Sequence, residues 1–165
     1  MPMTLEGACR CGAVRFRCAS NTPQPYQRCY CSICRKTAGG GGYAINLAAI
    51  AGTLQVEAAD GAIGVYRARI RGDDGACKTS TGERSFCTRC ATALWLFSPE
   101  WPDLLHPFAS AIDSELPASV ASVHLMLDFK PGWVAPQVGP DDDCFDRYSA
   151  ASIEDWHRRR GVWAD

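Results

Sequence analysis

The chain has 165 residues, 47% of them hydrophobic and 21% charged, a balance that supplies a core and excludes a disordered polymer. Its net charge of -1 gives no pull toward nucleic acid or an anionic membrane surface. Ten cysteines are the unusual component.

In chain order, Met1 to Glu6 has neither a basic start nor an apolar run, and Glu6, Arg10, Arg15 and Arg17 interrupt the next stretch. The expectation is a cytoplasmic chain with no secretory signal and no membrane span. Cys9-Arg10-Cys11 precedes a turn at Gly12, and Val14-Arg15-Phe16-Arg17-Cys18 then alternates apolar with charged, as a half-buried strand does. Cys29-Tyr30-Cys31-Ser32-Ile33-Cys34 comes next, with room for one helical turn after Cys31, and then the run Gly39 to Gly42. Leu54 to Glu57 and Val65 to Ile70 again read as strands, with a turn at Asp73-Asp74-Gly75 after them. Cys87-Thr88-Arg89-Cys90 leads into Ala91 to Phe97, and this run and Ser119 to Leu127 have the continuous apolar character of strands buried on both faces. The clear helix is C-terminal, from about Ser149 to Arg160, with Ser152 and Asp155 spaced as a capping box and Gly161 as the stop. No linker divides the chain. The reading is one mainly β domain over residues 1–165, built of antiparallel sheets, with a helical tail over about 149–165.

Seven of the cysteines fall into three tight groups, and that spacing points to metal. A C-x-x-C turn aims two thiolates at one ion, about 2.3 Å from a zinc. A disulfide framework would need an oxidising compartment, for which the sequence gives no sign. Seven sulfurs are one short of two tetrahedral sites, so the count predicts two zinc ions, one closed and one with a free position. Cys9, Cys11, Cys87 and Cys90, from knuckles far apart in sequence, are assigned to the closed, structural site that staples the sheets, and Cys29, Cys31 and Cys34 to the open one. Spacing alone leaves open a four-ligand site made of that trio and an outlying residue. Cys18, Cys77 and Cys144 are isolated and read as small hydrophobes. His106, His124 and His157 lie far from every group in sequence and are given no role.

Gly7 to Phe16, Cys29 to Lys36 and Arg84 to Cys90 together resemble the glutathione-dependent formaldehyde-activating enzyme family, the GFA or CENP-V/GFA domain. Phe108 to Asp113 and the tail Phe145 to His157 extend the resemblance over most of the chain. It implies an Mss4-like fold of antiparallel sheets with two zinc ions. It also implies a carbon-sulfur lyase reaction, in which glutathione sulfur adds to formaldehyde to give S-hydroxymethylglutathione, or the reverse. The alternative is a non-catalytic zinc-containing thiol carrier or interaction module on the same scaffold. Within the resemblance, Cys29, Cys31 and Cys34 are the catalytic zinc ligands, and Tyr30, Arg35, Lys36 and Arg84 are candidates to contact an anionic thiol peptide. A homodimer is compatible with the pattern and nothing demands it.

Three departures from the family pattern stand out. Tyr30 stands where many members have His, Ala91 where they have Gly, and Ser110-Ala111 where Gly-Thr is usual. Tyr30 bears on function, because a phenol offers a neutral donor and a flat apolar face where an imidazole could relay protons. Gly39 to Gly42 is read equally as a close-approach site for a ligand or as a permissive turn.

Overall fold

The computed structural model describes residues 1–165. Its strands are β1 (Met3–Ala8), β2 (Val14–Ser20), β3 (Gln27–Cys29), β4 (Ala44–Ile45), β5 (Ala49–Ile50), β6 (Gln55–Ala58), β7 (Ile63–Arg71), β8 (Cys77–Cys87), β9 (Ala93–Phe97), β10 (Leu104–Pro107), β11 (Val123–Leu125) and β12 (Asp143–Cys144). The helices are α1 (Ser32–Thr37) and α2 (Ile153–Arg159). No helix is long and apolar enough to cross a membrane.

Three sheets result, ordered β1-β2-β6, β5-β10-β9-β8-β7 and β12-β11-β3-β4. In the first, the alternation of β2 turns Val14, Phe16, Cys18 and Ser20 inward and leaves Arg15 and Arg17 exposed. Leu5, Val14 and Phe16 meet Leu94, Trp95 and Leu105 of the second sheet, and the Phe16 and Trp95 rings make an edge contact at 5.1 Å. Each such side chain stabilises by about 1.5–3 kcal/mol on burial. Cys18 belongs to this core, as a small hydrophobe should, whereas Cys77 and Cys144 are exposed.

The first two sheets are antiparallel throughout. The third adds a feature the alternation does not announce: β11 pairs parallel with both β3 and β12. Parallel neighbours need a long crossover, and here the whole second sheet intervenes between β3 and β11. The apolar run Ser119 to Leu127 shortens to Val123–Leu125, all three buried. Val120 is exposed, and Met126 turns into the left-handed region at φ 63.

α2 caps this third sheet. The Ser152 hydroxyl accepts from the Asp155 amide and the Asp155 carboxylate accepts from the Ser152 amide, completing the capping box, and Gly161 at φ +67 ends the turn. Trp156 stacks on Tyr26 with centroids 3.9 Å apart, over Ala121, Val123 and Leu125. The buried His157 ring is used at both nitrogens, Nδ1 to the Ile153 carbonyl at 2.8 Å and Nε2 to the Gln24 amide at 3.4 Å. The tail is pinned where the Ala164 amide donates to Asn21 O at 2.9 Å and the Asn21 side-chain amide returns a bond to Ala164 O.

Candidate metal centres

All ten cysteines are free thiols, and seven of them converge in two groups. Cys9 and Cys11 come just after β1, Cys87 ends β8, and Cys90 lies in the turn before β9. Their four sulfurs lie within 4.8 Å of one another, with Cys9 Sγ to Cys11 Sγ at 3.5 Å and Cys11 Sγ to Cys87 Sγ at 3.8 Å. A tetrahedron of sulfurs about 2.3 Å from a zinc has edges of roughly 3.8 Å, so the donor set fits such an ion. Amides and hydroxyls point at the sulfurs: Val14 N–H donates to Cys9 Sγ at 3.2 Å, and Thr92 Oγ1 stands 3.2 Å from Cys90 Sγ. The hydrogen bonds from Thr92 bring the Cys90 thiol down to about 5. The knuckle closes through Ala91 N–H to Cys87 O at 2.8 Å, which requires Ala91 at φ 60, a conformation glycine adopts freely and alanine does not.

The second group is local. Cys29 ends β3, Cys31 is the N-cap of α1, and Cys34 is buried one turn later, its amide donating to Cys31 Sγ at 3.3 Å. The three sulfurs lie within 4.8 Å of one another and no further Cys, His, Asp or Glu donor joins them. That geometry gives no support to an outlying fourth ligand from the chain. The thiols differ sharply: hydrogen bonds from Cys29 and Cys34 hold Cys31 well below the ordinary thiol range, while Cys31 and Cys34 push Cys29 up. Three crowded sulfurs with one stabilised negative charge among them are a donor set suited to a soft cation.

The residues expected around this trio separate. Lys36 is exposed and Arg35 half-buried, both in the last turn of α1, where Arg35 Nε is buried with no partner. Arg84, on β8, is buried opposite Leu96, which packs against Cys29 and Cys34, and burial together with the charge of the three cysteines pushes the Tyr148 phenol up. Tyr30 requires a correction. Expected to contact substrate, it has no exposed surface, and its hydroxyl lies 2.9 Å from His124 Nδ1. His124 Nε2 is 3.2 Å from Asp142 Oδ2. A carboxylate only accepts, so Nε2 donates to it while Nδ1 bonds the Tyr30 hydroxyl. Asp142 is itself fixed by the amides of Ser122 at 2.6 Å and Gly139 at 2.9 Å. Burial would raise its carboxyl, but the Gly139, Ser122 and His124 hydrogen bonds outweigh it and hold the group below its usual range. Tyr30 is therefore a buried anchor of the Cys29–Cys31 peptide, with its own amide bonded to Leu125 O at 3.0 Å. Sequence reading missed His124 and Asp142 because they lie 94 and 112 residues from Tyr30, and only the pairing of β11 with β3 and with β12 brings them near. His106 and His157 are packed groups, each held below its usual value by burial.

Gly39 and Gly42 have steric reasons of their own. A Cβ on Gly39 would overlap the Tyr43 carbonyl, and one on Gly42, at φ +90, would overlap Val134. Gly40 and Gly41 meet no such obstacle, which favours the turn over a ligand platform for the run as a whole.

Residues 4–122 match the family model described as glutathione-dependent formaldehyde-activating enzyme. A Halomonas elongata protein, named provisionally as such an enzyme, is 58% identical over 97% of this chain and 98% of its own length. The crystal structure of a Rhodobacter sphaeroides protein superposes with a TM-score of 0.51 at 23% identity, covering 70% of this chain and 92% of that one, a likeness of fold.

Proposed function

The chain belongs to the glutathione-dependent formaldehyde-activating enzyme family, and we propose that it acts as a zinc-dependent carbon-sulfur lyase. In this reading it joins the thiol of glutathione, or a similar small thiol, to formaldehyde or a related electrophile, and catalyses the reverse cleavage. The observation that carries it is the unequal division of seven sulfurs: four in a set that needs nothing more, three in a set to which the chain adds no further donor. Cys9, Cys11, Cys87 and Cys90 would hold the structural ion, and Cys29, Cys31 and Cys34 the open one. Zinc bound by three thiolates favours a soft fourth ligand and holds an incoming thiol as thiolate near neutral pH.

In the addition, the thiol gives up its proton, a sulfur lone pair forms the S–C bond to the carbonyl carbon, and the C=O π pair moves to oxygen, which takes up one proton in exchange. The reverse returns that proton and breaks the S–C bond. The chain's own residues supply position and charge. Arg35 and Lys36 on α1, and Arg84 on β8, would supply positive charge to an anionic thiol peptide. Asp142, through His124 and Tyr30, holds the Cys29–Cys31 peptide so that both reactants meet one fixed point, which supplies the proximity contribution. Ligation by seven thiolates needs a reducing setting, which supports a cytoplasmic location. Residues 1–165 act as one unit in this reading, the tail included.

A second reading, a thiol carrier without catalysis, is favoured by the burial of Tyr30, which withdraws that phenol from any reacting group. Calorimetric titration with glutathione, on protein of measured zinc content, decides between them when combined with carbon NMR in the presence of formaldehyde. Binding together with S-hydroxymethylglutathione formed faster than in buffer supports the lyase. Binding at the buffer rate supports the carrier, and no binding sinks both.

A further inference from the structure

Arg84 is 9% exposed, yet its Nε and Nη1 have no hydrogen-bond partner in the protein. An unpaired buried guanidinium is costly, and folds that keep one supply an anion to it. No carboxylate here does so, since the adjacent Glu83 is paired with Arg67. Arg84 lies opposite Leu96 in the β8–β9 register, and opposed residues share a face of the sheet. Leu96 packs against the cluster of Cys29, Cys34, Ala44 and Phe108, so the same face carries the guanidinium to the open trio. The space beside Arg84 is kept by Gly82, two residues earlier on the same face, where a Cβ would stand 3.5 Å from Nη1 and 3.1 Å from Leu96 Cδ1.

Three thiolates around a divalent ion carry one net negative charge, and a fourth thiolate makes it two. A neutral ligand would add none. An isolated site would therefore resist the second anion in a low-dielectric surrounding. We propose that Arg84 determines the specificity of the open cluster, offsetting that added charge so that the site takes an anionic sulfur ligand in preference to a neutral nitrogen one. This rests on the reading of Cys29, Cys31 and Cys34 as an open metal centre.

The test is a ligand competition on the cobalt-substituted chain, read by visible absorption, with glutathione as the anionic probe and imidazole as the neutral one. Arg84→Gln should weaken glutathione binding by at least about tenfold, while imidazole binds as before or more tightly. Arg84→Lys, which keeps the charge, should recover most of the loss. Gly82→Asp supplies a second route that leaves Arg84 in place: its carboxylate would pair with the guanidinium and should produce the same loss of selectivity. Glutathione binding unchanged in both Arg84→Gln and Gly82→Asp overturns the proposal and leaves the metal-centre reading standing. Equal weakening of both ligands also overturns it, because Arg84 would then be a packing residue. A wild-type chain that holds cobalt at the trio but shows no response to glutathione sinks the open-centre reading and the proposal with it.

Discussion

Cys11 and Cys87 meet at 3.8 Å across 76 residues of chain, whereas Cys29, Cys31 and Cys34 all come from one short stretch at the start of α1. A bond that spans a long loop removes far more freedom from the unfolded chain than one that spans six residues. The first cluster therefore contributes to the fold, joining the first sheet to the second. The second contributes little to chain closure and rests on a scaffold built by other contacts: the parallel β3–β11 pair, the Tyr30–His124–Asp142 chain, and α2 on the far side. On the proposed division of the sulfurs, near-identical chemistry would serve architecture in one place and be left for ligands in the other, with loop length as the difference.

The most forceful way to break this comparison is to remove one sulfur from each cluster. Cys87→Ser should give insoluble or unfolded protein, because structural zinc contributes on the order of 10 kcal/mol in small domains. Cys34→Ser should keep the wild-type circular dichroism and bind one zinc where the parent binds two, by elemental analysis. A folded Cys87→Ser variant, or a parent with a single zinc, would erase the distinction.

A gentler perturbation acts on the support of the trio. His124→Ala leaves the Tyr30 hydroxyl and the Asp142 carboxylate without their partner, which should cost about 1–3 kcal/mol in denaturant unfolding. It should also alter the cobalt spectrum of the trio while the four-sulfur site keeps its bands. Equal changes at both sites would mean that His124 supports the fold at large.

Acid should weaken the packing of α2 on the third sheet. His157, packed neutral beneath the third sheet, has its folded value below the ordinary 6.5 because of burial. The unfolded chain therefore takes up this proton first, so the contribution is complete above about pH 6.5 and is lost as pH falls from there toward the lower folded value. Melting temperatures from pH 8 to 5 should fall on the acid side, and His157→Gln should flatten that slope.

The smallest effect is expected at Ala91, whose φ of 60 strains the four-sulfur knuckle. Ala91→Gly should stabilise by about 1 kcal/mol, about 2–4 °C in melting temperature for a chain of this size. An unchanged or lower melting temperature would show that the turn relaxes without glycine.

Much of this was legible in the residues. Period-two alternation marked β2, β6 and β7, Ser152 and Asp155 marked the start of α2, and cysteine spacing foretold which sulfurs would meet. β8 was not, because Lys78 to Glu83 is polar and reads as loop until β7 and β9 are known to flank it. Parallel pairing leaves no local signature, so the approach of β11 to β3 was hidden, and with it the burial of Tyr30. The environment of Arg84 was hidden for the same reason: its neighbour Leu96 is set by register, which depends on a bulge between Ser85 and Phe86 that no single residue announces.

The placement of β11 and Asp142 late in the chain also sets an order of assembly. A nascent polypeptide that has emerged through β9 already holds all four sulfurs of the stapled site and most of both sheets it joins. The strand that flanks Cys29, and the carboxylate that ends the Tyr30 anchor, are still to be synthesised. During translation the four-sulfur framework can close while the surroundings of the three-sulfur cluster wait for the last third of the chain, so a ribosome stalled before residue 142 would leave a scaffold whose second cluster lacks the carboxylate that ends its anchor.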